Sequence, residues 1–403
     1  MRLRVSRTAS LCGQLEAVHS GRSIDKPMNI FNNKTVIVTG AGASKEYGYP
    51  LGNELRLQVT SILASGPFRA LLKNQNYEDA FVDEFSELLK YSTSHETIDS
   101  LLEHHPRFRN IGCLAIAYIL LSQGHHGTIF PARGWYRRLF TELSLDTETS
   151  PARNISFVTL NYEQSLQYYL LHSYKYDCSE ANYAHAKRNI ESINHIYAHG
   201  TLGTFPRTPL SNNDKDKIAI AVAQSMMLIF DNVDETDPFR KATDAIAQAQ
   251  NVVFLGLGYE MRTMRRLLGK YANDTTKNFF GTMFQLPTAR RNELRKLFSG
   301  NIILFDCNIE DWFNRMIFID TWFPNDTAEY ISFARHDDNK ILITNKRSGH
   351  DVLLDRPSIN HVLSGEYSHL MKKYSANPED VNTLRSISIR TLVSAAYKID
   401  EHP

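Results

Sequence analysis

The chain has 403 residues, of which 42% are hydrophobic and 22% charged, and this excludes a disordered, collagen-like or coiled-coil protein. Lys and Arg number 45 against 44 Asp and Glu, so a net charge of +1 provides no overall field for nucleic acid or an anionic membrane. Cys12, Cys113, Cys178 and Cys307 lie far apart with no C-x-x-C pair, which argues against a structural zinc site or a disulfide framework. The longest strongly apolar stretch, CLAIAYILL at 113–121, is too short to cross a bilayer. A soluble, cytoplasmic protein with no resident metal is expected.

Residues 1–27 carry Arg2, Arg4, Arg7 and Arg22 among serines and read as a flexible N-terminal extension. The run KTVIVTG at 34–40 is short, apolar, β-branched and closed by glycine, the pattern of a buried parallel strand. Similar runs recur at 155–160 (ISFVTL), 195–198 (within INHIYAH), 251–255 (NVVFL) and 301–305 (NIILF). Strands alternating with helical patterns predict an α/β fold with a Rossmann-like parallel sheet, its ligand site at the strands' C-terminal ends.

Between about 56 and 150 no strand is predicted. Phe81, Phe85, Leu88 and Leu89 share one helical face opposite Asp83, Glu84 and Glu87, and further helices are predicted over about 96–104, 110–122 and 133–144. This block reads as a helical insertion between the first two strands. Beyond 330, ISFARHDDNKILITNKRSGHDVLL predicts a hairpin with polar turns, followed by helices. The expected organisation is therefore an extension at 1–27, a nucleotide-binding domain at 28–330 carrying the insertion, and a hairpin-and-helix appendage at 331–403.

The sharpest local signal is Gly40-Ala41-Gly42-Ala43-Ser44 directly after a strand, with Tyr47-Gly48-Tyr49-Pro50 closing the turn before a helix near Gly52. Glycines there allow close backbone approach to a phosphate. A P-loop would need Gly-Lys-Ser/Thr, which is absent, and the dinucleotide fingerprint would need glycine where Lys45 stands.

Strand-GAGAS-x3-G-x-P resembles the opening motif of the sirtuin superfamily. Three further blocks follow in that family's order: Thr159-Leu160-Asn161-Tyr162, Ala198-His199-Gly200, and Phe254-Leu255-Gly256-Leu257-Gly258-Tyr259. Spread over about 34–306, they are similar to the sirtuin-like domains of bacterial antiphage defence proteins. The chain departs from the deacylases in having Leu51-Gly52-Asn53 after Pro50 instead of Asp-Phe-Arg, and no cysteine between His199 and the later glycines. Glu163 stands where an aspartate is usual. These departures argue against deacylation and leave NAD+ binding and N-glycosidic cleavage.

The resemblance thus implies an NAD+ glycohydrolase that depletes NAD+ as an antiviral effector, with NAD+ as substrate. Asn161 and His199 are the expected catalytic residues. Gly40, Ala41, Gly42, Ala43 and Ser44 are expected to hold the diphosphate, Gly256 and Gly258 to admit the rest of the cofactor, and Tyr162 and Tyr259 to wall the pocket. His199 suits proton removal near neutral pH, and Asn161 offers both a donor and an acceptor. His195 is expected to be structural, on the same strand face about 13 Å from His199 at roughly 3.3 Å per residue.

Family likeness further implies a homo-oligomer and a HerA-like ATPase as partner. Nucleic acid would be met only through that partner or through two local basic clusters, Arg262, Arg265, Arg266 and Lys270, and Arg290, Arg291, Arg295 and Lys296. Two rival readings are a short-chain oxidoreductase using Tyr183 and Lys187, and a non-catalytic NAD- or ADP-ribose-binding module.

Overall fold

The computed structural model describes residues 30–313 save short loop stretches, the strands of 331–355, and scattered positions between 357 and 384. The predicted extension at 1–27 and most of the predicted C-terminal helices lie outside the described residues. No helix among the described residues is long and apolar enough to cross a membrane.

Six strands form a parallel sheet: β1 (Thr35–Thr39), β2 (Ile155–Thr159), β3 (Asn194–Tyr197), β4 (Asn251–Leu255), β5 (Asn278–Thr282) and β6 (Ile302–Phe305). Their order is β3-β2-β1-β4-β5-β6, so the chain reverses direction across the sheet between β1 and β4. Thr39 of β1 registers with Thr159 of β2 and Leu255 of β4, which brings three strand ends to one level. In a doubly wound sheet the crevice above that reversal is where ligands bind.

The strands are apolar on both sides because both faces are covered. Ile37, Phe157, Val253 and Leu255 face one core cluster, shared with the insertion helices. Val36, Val38, Val158, Val252 and Phe254 face the other, which is closed by helices Asp237–Gln248, Met261–Leu268 and Thr288–Leu297. Between β1 and β2 the described elements are all helical, as the sequence predicts. Helix Arg109–Gln123 is buried along most of its length, which accounts for its lack of a polar face.

Two elements depart from expectation. β5 (NFFGT) has only two successive apolar residues before Gly281 and does not stand out in the sequence, yet it lies between β4 and β6 and supplies a rung to each. The predicted hairpin is a three-stranded antiparallel sheet, because β7 (Ile331–Asp337) and β8 (Lys340–Asn345) are followed by β9 (His350–Asp355).

At the reversal the loops after β1 and β4 touch backbone to backbone. The amides of Gly40 and Gly42 donate to the carbonyls of Leu255 and Gly256 at 3.1 and 2.9 Å. A Cβ on Gly42 would stand 2.9 Å from the Gly256 carbonyl oxygen, and one on Gly256 would stand 2.2 Å from the Ala43 nitrogen. Gly256 also has φ +64°, whereas nothing lies within 4 Å of a Cβ on Gly258. Gly256→Ala should therefore lower stability by roughly 2 kcal/mol or more, the cost of strain plus a backbone overlap. Gly258→Ala should change it by less than about 0.5 kcal/mol. Urea unfolding of the two variants checks this, and equal midpoints would contradict it.

Candidate functional site

Asn161 follows β2 by two residues, beside the loop that leaves β1. Its side-chain NH2 donates to the Gly40 carbonyl (3.0 Å), Ser44 Oγ (3.1 Å) and Glu163 Oε1 (3.3 Å), and its own amide donates to Thr159 Oγ1 (3.1 Å). The two N–H donors are thus turned inward, which leaves the carbonyl Oδ1 as the group available to a ligand. Glu163 is 8% exposed, and its Oε2 accepts the Ser165 amide at 2.6 Å. Burial, and after it the nearby Glu163 carboxylate, raises the Tyr49 and Tyr197 phenols and pushes Tyr136 well above its ordinary value. All three stay protonated.

The helical insertion braces this loop. Trp135 Nε1 donates to the Ala43 carbonyl at 2.6 Å, and the Trp135 amide to Glu46 Oε1 at 3.0 Å. Tyr136 and Tyr47 stack with centroids 3.6 Å apart and planes inclined by 7°, and the Tyr136 amide donates to the Tyr47 hydroxyl at 2.8 Å. Gly134 sits at φ +145° where a Cβ would meet that hydroxyl at 2.7 Å. These contacts were not legible in the sequence, because they join residues about 90 positions apart that carry no shared motif.

Asn161, Glu163, Trp135, Tyr136, His195 and Tyr197 line a cavity of about 20 Å³, enough for about one water and too small for an aromatic ring. His195 stacks on Phe157 at 5.2 Å, and its Nε2 is sealed with no partner. His199 does not line this cavity. The expectation that the two histidines share a strand face is overturned. β3 ends at Tyr197, and the chain turns before His199, whose ring lies 6.4 Å from Phe239 on the opposite face of the sheet.

His199 is 1% exposed and neither ring nitrogen has a partner. Burial, then the Arg266 guanidinium, pulls its pKa down to about 4, against a smaller upward pull from Asp231. The other predicted residues divide into loop, core and open positions. Three of the five loop amides, those of Gly40, Gly42 and Ala43, already donate to protein carbonyls, so they do not face a phosphate. Tyr259, 1% exposed, has φ +51° and donates to the Thr282 carbonyl at 2.8 Å. It is a core residue that offers no face to a ligand, correcting its expected place in a pocket wall. Tyr162 donates to the Met227 carbonyl at 2.7 Å, and of the four predicted site glycines Gly258 is the one where a Cβ would meet nothing within 4 Å.

Tyr183, whose hydroxyl accepts from Tyr174 at 3.3 Å, lies with Lys187 on helix Glu180–Ser192; neither lines the cavity beside Asn161. The basic clusters are partly tied up: Arg262 pairs with Glu103, Arg290 with Glu293 and Arg291 with Asp306. No family model and no curated protein matches the chain. The functional reading therefore rests on the site itself and on the motif resemblance.

The buried histidines predict an acid-sensitive fold. Burial lowers His195, like His199, from 6.5 to about 4, so the unfolded chain binds protons in this window that the folded chain does not. Stability is fully present above about pH 6.5 and falls as pH drops toward 4, by up to about 3 kcal/mol per histidine. Urea midpoints at pH 7.5 and 5 should show the loss, and His195→Leu should reduce it. A variant with the same pH dependence as the parent would contradict the assignment.

Proposed function

We propose that the chain is an NAD+ glycohydrolase that converts NAD+ and water to ADP-ribose, nicotinamide and a proton. The observation that carries this reading is Asn161, clamped by its NH2 to Gly40, Ser44 and Glu163 at the adjoining ends of β1 and β2 with Oδ1 left as an acceptor. Such an acceptor, rigidly held, suits a ribose hydroxyl beside the scissile bond. Cleavage breaks the bond between C1′ and the pyridinium nitrogen, and the electron pair leaves with nicotinamide and neutralises its charge. Water adds to the oxocarbenium-like C1′, as in glycoside hydrolysis, and gives up a proton.

His199 is assigned the proton-accepting role. It is neutral above about pH 4 and both its ring nitrogens are unpartnered, which supports that role once the ring is reached by water. Gly258, with open space beside it, gives the dinucleotide room to pass. Glu163 holds Asn161 in place and is a positioning residue. Service in antiphage defence through NAD+ depletion is part of the proposal and rests on the motif resemblance. So do self-assembly and a HerA-like ATPase partner; exposed Leu57 and Tyr91 on the insertion, 71% and 77% accessible, suit such a contact.

Asn161→Ala and His199→Ala should each lower NAD+ consumption by at least about 100-fold, with folding retained. His195→Ala should change turnover far less and act through stability. Chromatographic separation of nicotinamide and ADP-ribose, with circular dichroism as the folding control, checks this. Near-parental turnover by His199→Ala would overturn the mechanism.

A further inference from the structure

A second concave region lies at the opposite end of the sheet from Asn161. It is an open groove of about 420 Å³ between the N-terminal ends of β1, β2 and β3 and one flank of helix Asp237–Gln248. Ser156 of β2 is in register with Val36 of β1 and with Asn194 of β3, and all three line the groove. Val36 is buried, Ser156 is half-buried and Asn194 is exposed. Along this rung the sheet therefore changes from apolar to polar toward β3, although its strands are otherwise apolar on this face.

Three cations border the same groove: Lys34 before β1, Arg153 before β2 and Lys241 on the helix. All three are exposed, and none forms an ion pair among the described residues. Asp237, one turn before Lys241, is paired with Arg240 instead. Asp244 is the one acid that lines the groove, so cations outnumber acids there three to one. Singly, exposed charges of this kind are worth little, but three that converge on one anion act together.

Small-molecule pockets hold roughly 300–1,000 Å³ and are mostly apolar. This groove has the size without the apolar lining, and no aromatic side chain is among the described residues that form it. It thus offers no ring face on which a nucleobase or nicotinamide would stack. A phosphate finds a guanidinium fork in Arg153 and point charges in Lys34 and Lys241. Hydroxyl groups find an acceptor in Asp244, and donors and acceptors together in Ser156, Asn194 and Gln248. We infer that this groove is a binding site for a phosphorylated sugar, its phosphate held by the three cations and its hydroxyls by the polar floor and helix flank. The site shares only Ile196 with the cavity beside Asn161 and does not rest on the NAD+ reading.

The test is calorimetric titration of the full chain with ribose 5-phosphate, with inorganic phosphate and ribose as reference probes. Ribose 5-phosphate should bind at one site, at least about tenfold more tightly than either reference. Arg153→Gln combined with Lys241→Gln should weaken it by at least about tenfold, and because both side chains are exposed the circular dichroism spectrum should not change. Ser156→Val, which keeps a strand-forming residue but removes the hydroxyl, should weaken ribose 5-phosphate more than phosphate. Asn161→Ala should leave the titration unchanged. No saturation at millimolar ribose 5-phosphate would overturn the inference, and so would equal affinity for inorganic phosphate. Binding that survives in the Arg153 and Lys241 variant but is lost in Asn161→Ala would place the ligand at the other end of the sheet and overturn it as well. Ribose 5-phosphate binding by a chain that leaves NAD+ intact would uphold this site and defeat the hydrolase reading alone.

Discussion

The close backbone contact between the loops after β1 and β4 is the constraint on which the site depends. Gly40 and Gly42 donate to Leu255 and Gly256 across a gap that admits no Cβ at Gly42 or Gly256. This contact fixes where the chain goes after Thr39, and hence where the Gly40 carbonyl and Ser44 hydroxyl meet Asn161. The insertion completes the cradle through Trp135 and Tyr136, so that a loop of small residues is held rigidly by large ones. Preorganisation of this kind costs the fold buried polar groups, and nearly all of them here find partners.

The exceptions among the described residues include two histidines beyond or within β3, only one of which is assigned to the chemistry. His195 Nε2 and both nitrogens of His199 are buried without a partner, although each pays a desolvation cost there. On opposite faces of the sheet, they have separate surroundings: Phe157 and the small cavity on one side, Phe239, Arg266 and Asp231 on the other. The described conformation is closed around His199 and open near Gly258, a combination that fits a site assembled by its ligand.

Much of the fold was legible in the sequence, because buried parallel strands write themselves as short β-branched runs with glycine exits. β5 was hidden by its composition, Phe279 and Phe280 being followed by Gly281, although two successive helices between β4 and β6 required a strand to return the chain to the sheet. Asn161 was singled out by the motif resemblance, and the fold places it two residues beyond β2. What the glycines do was not. Periodicity and motif spacing show that Gly40, Gly42 and Gly256 are needed, but not that their close approach serves one another. Tyr259 misled for a similar reason: an aromatic next to a glycine loop reads alike whether it turns outward or, at φ +51°, into the core. The Arg109–Asp231 pair spans 122 residues and could only be found in three dimensions.

The central claim is that this cradle hydrolyses NAD+. Its most direct test is incubation of the chain with NAD+ carrying distinct isotopic labels in the nicotinamide and ribose. The account predicts that free nicotinamide and ADP-ribose accumulate in equal amounts. Intact NAD+ after incubation, or reduction of the dinucleotide in place of cleavage, would contradict it.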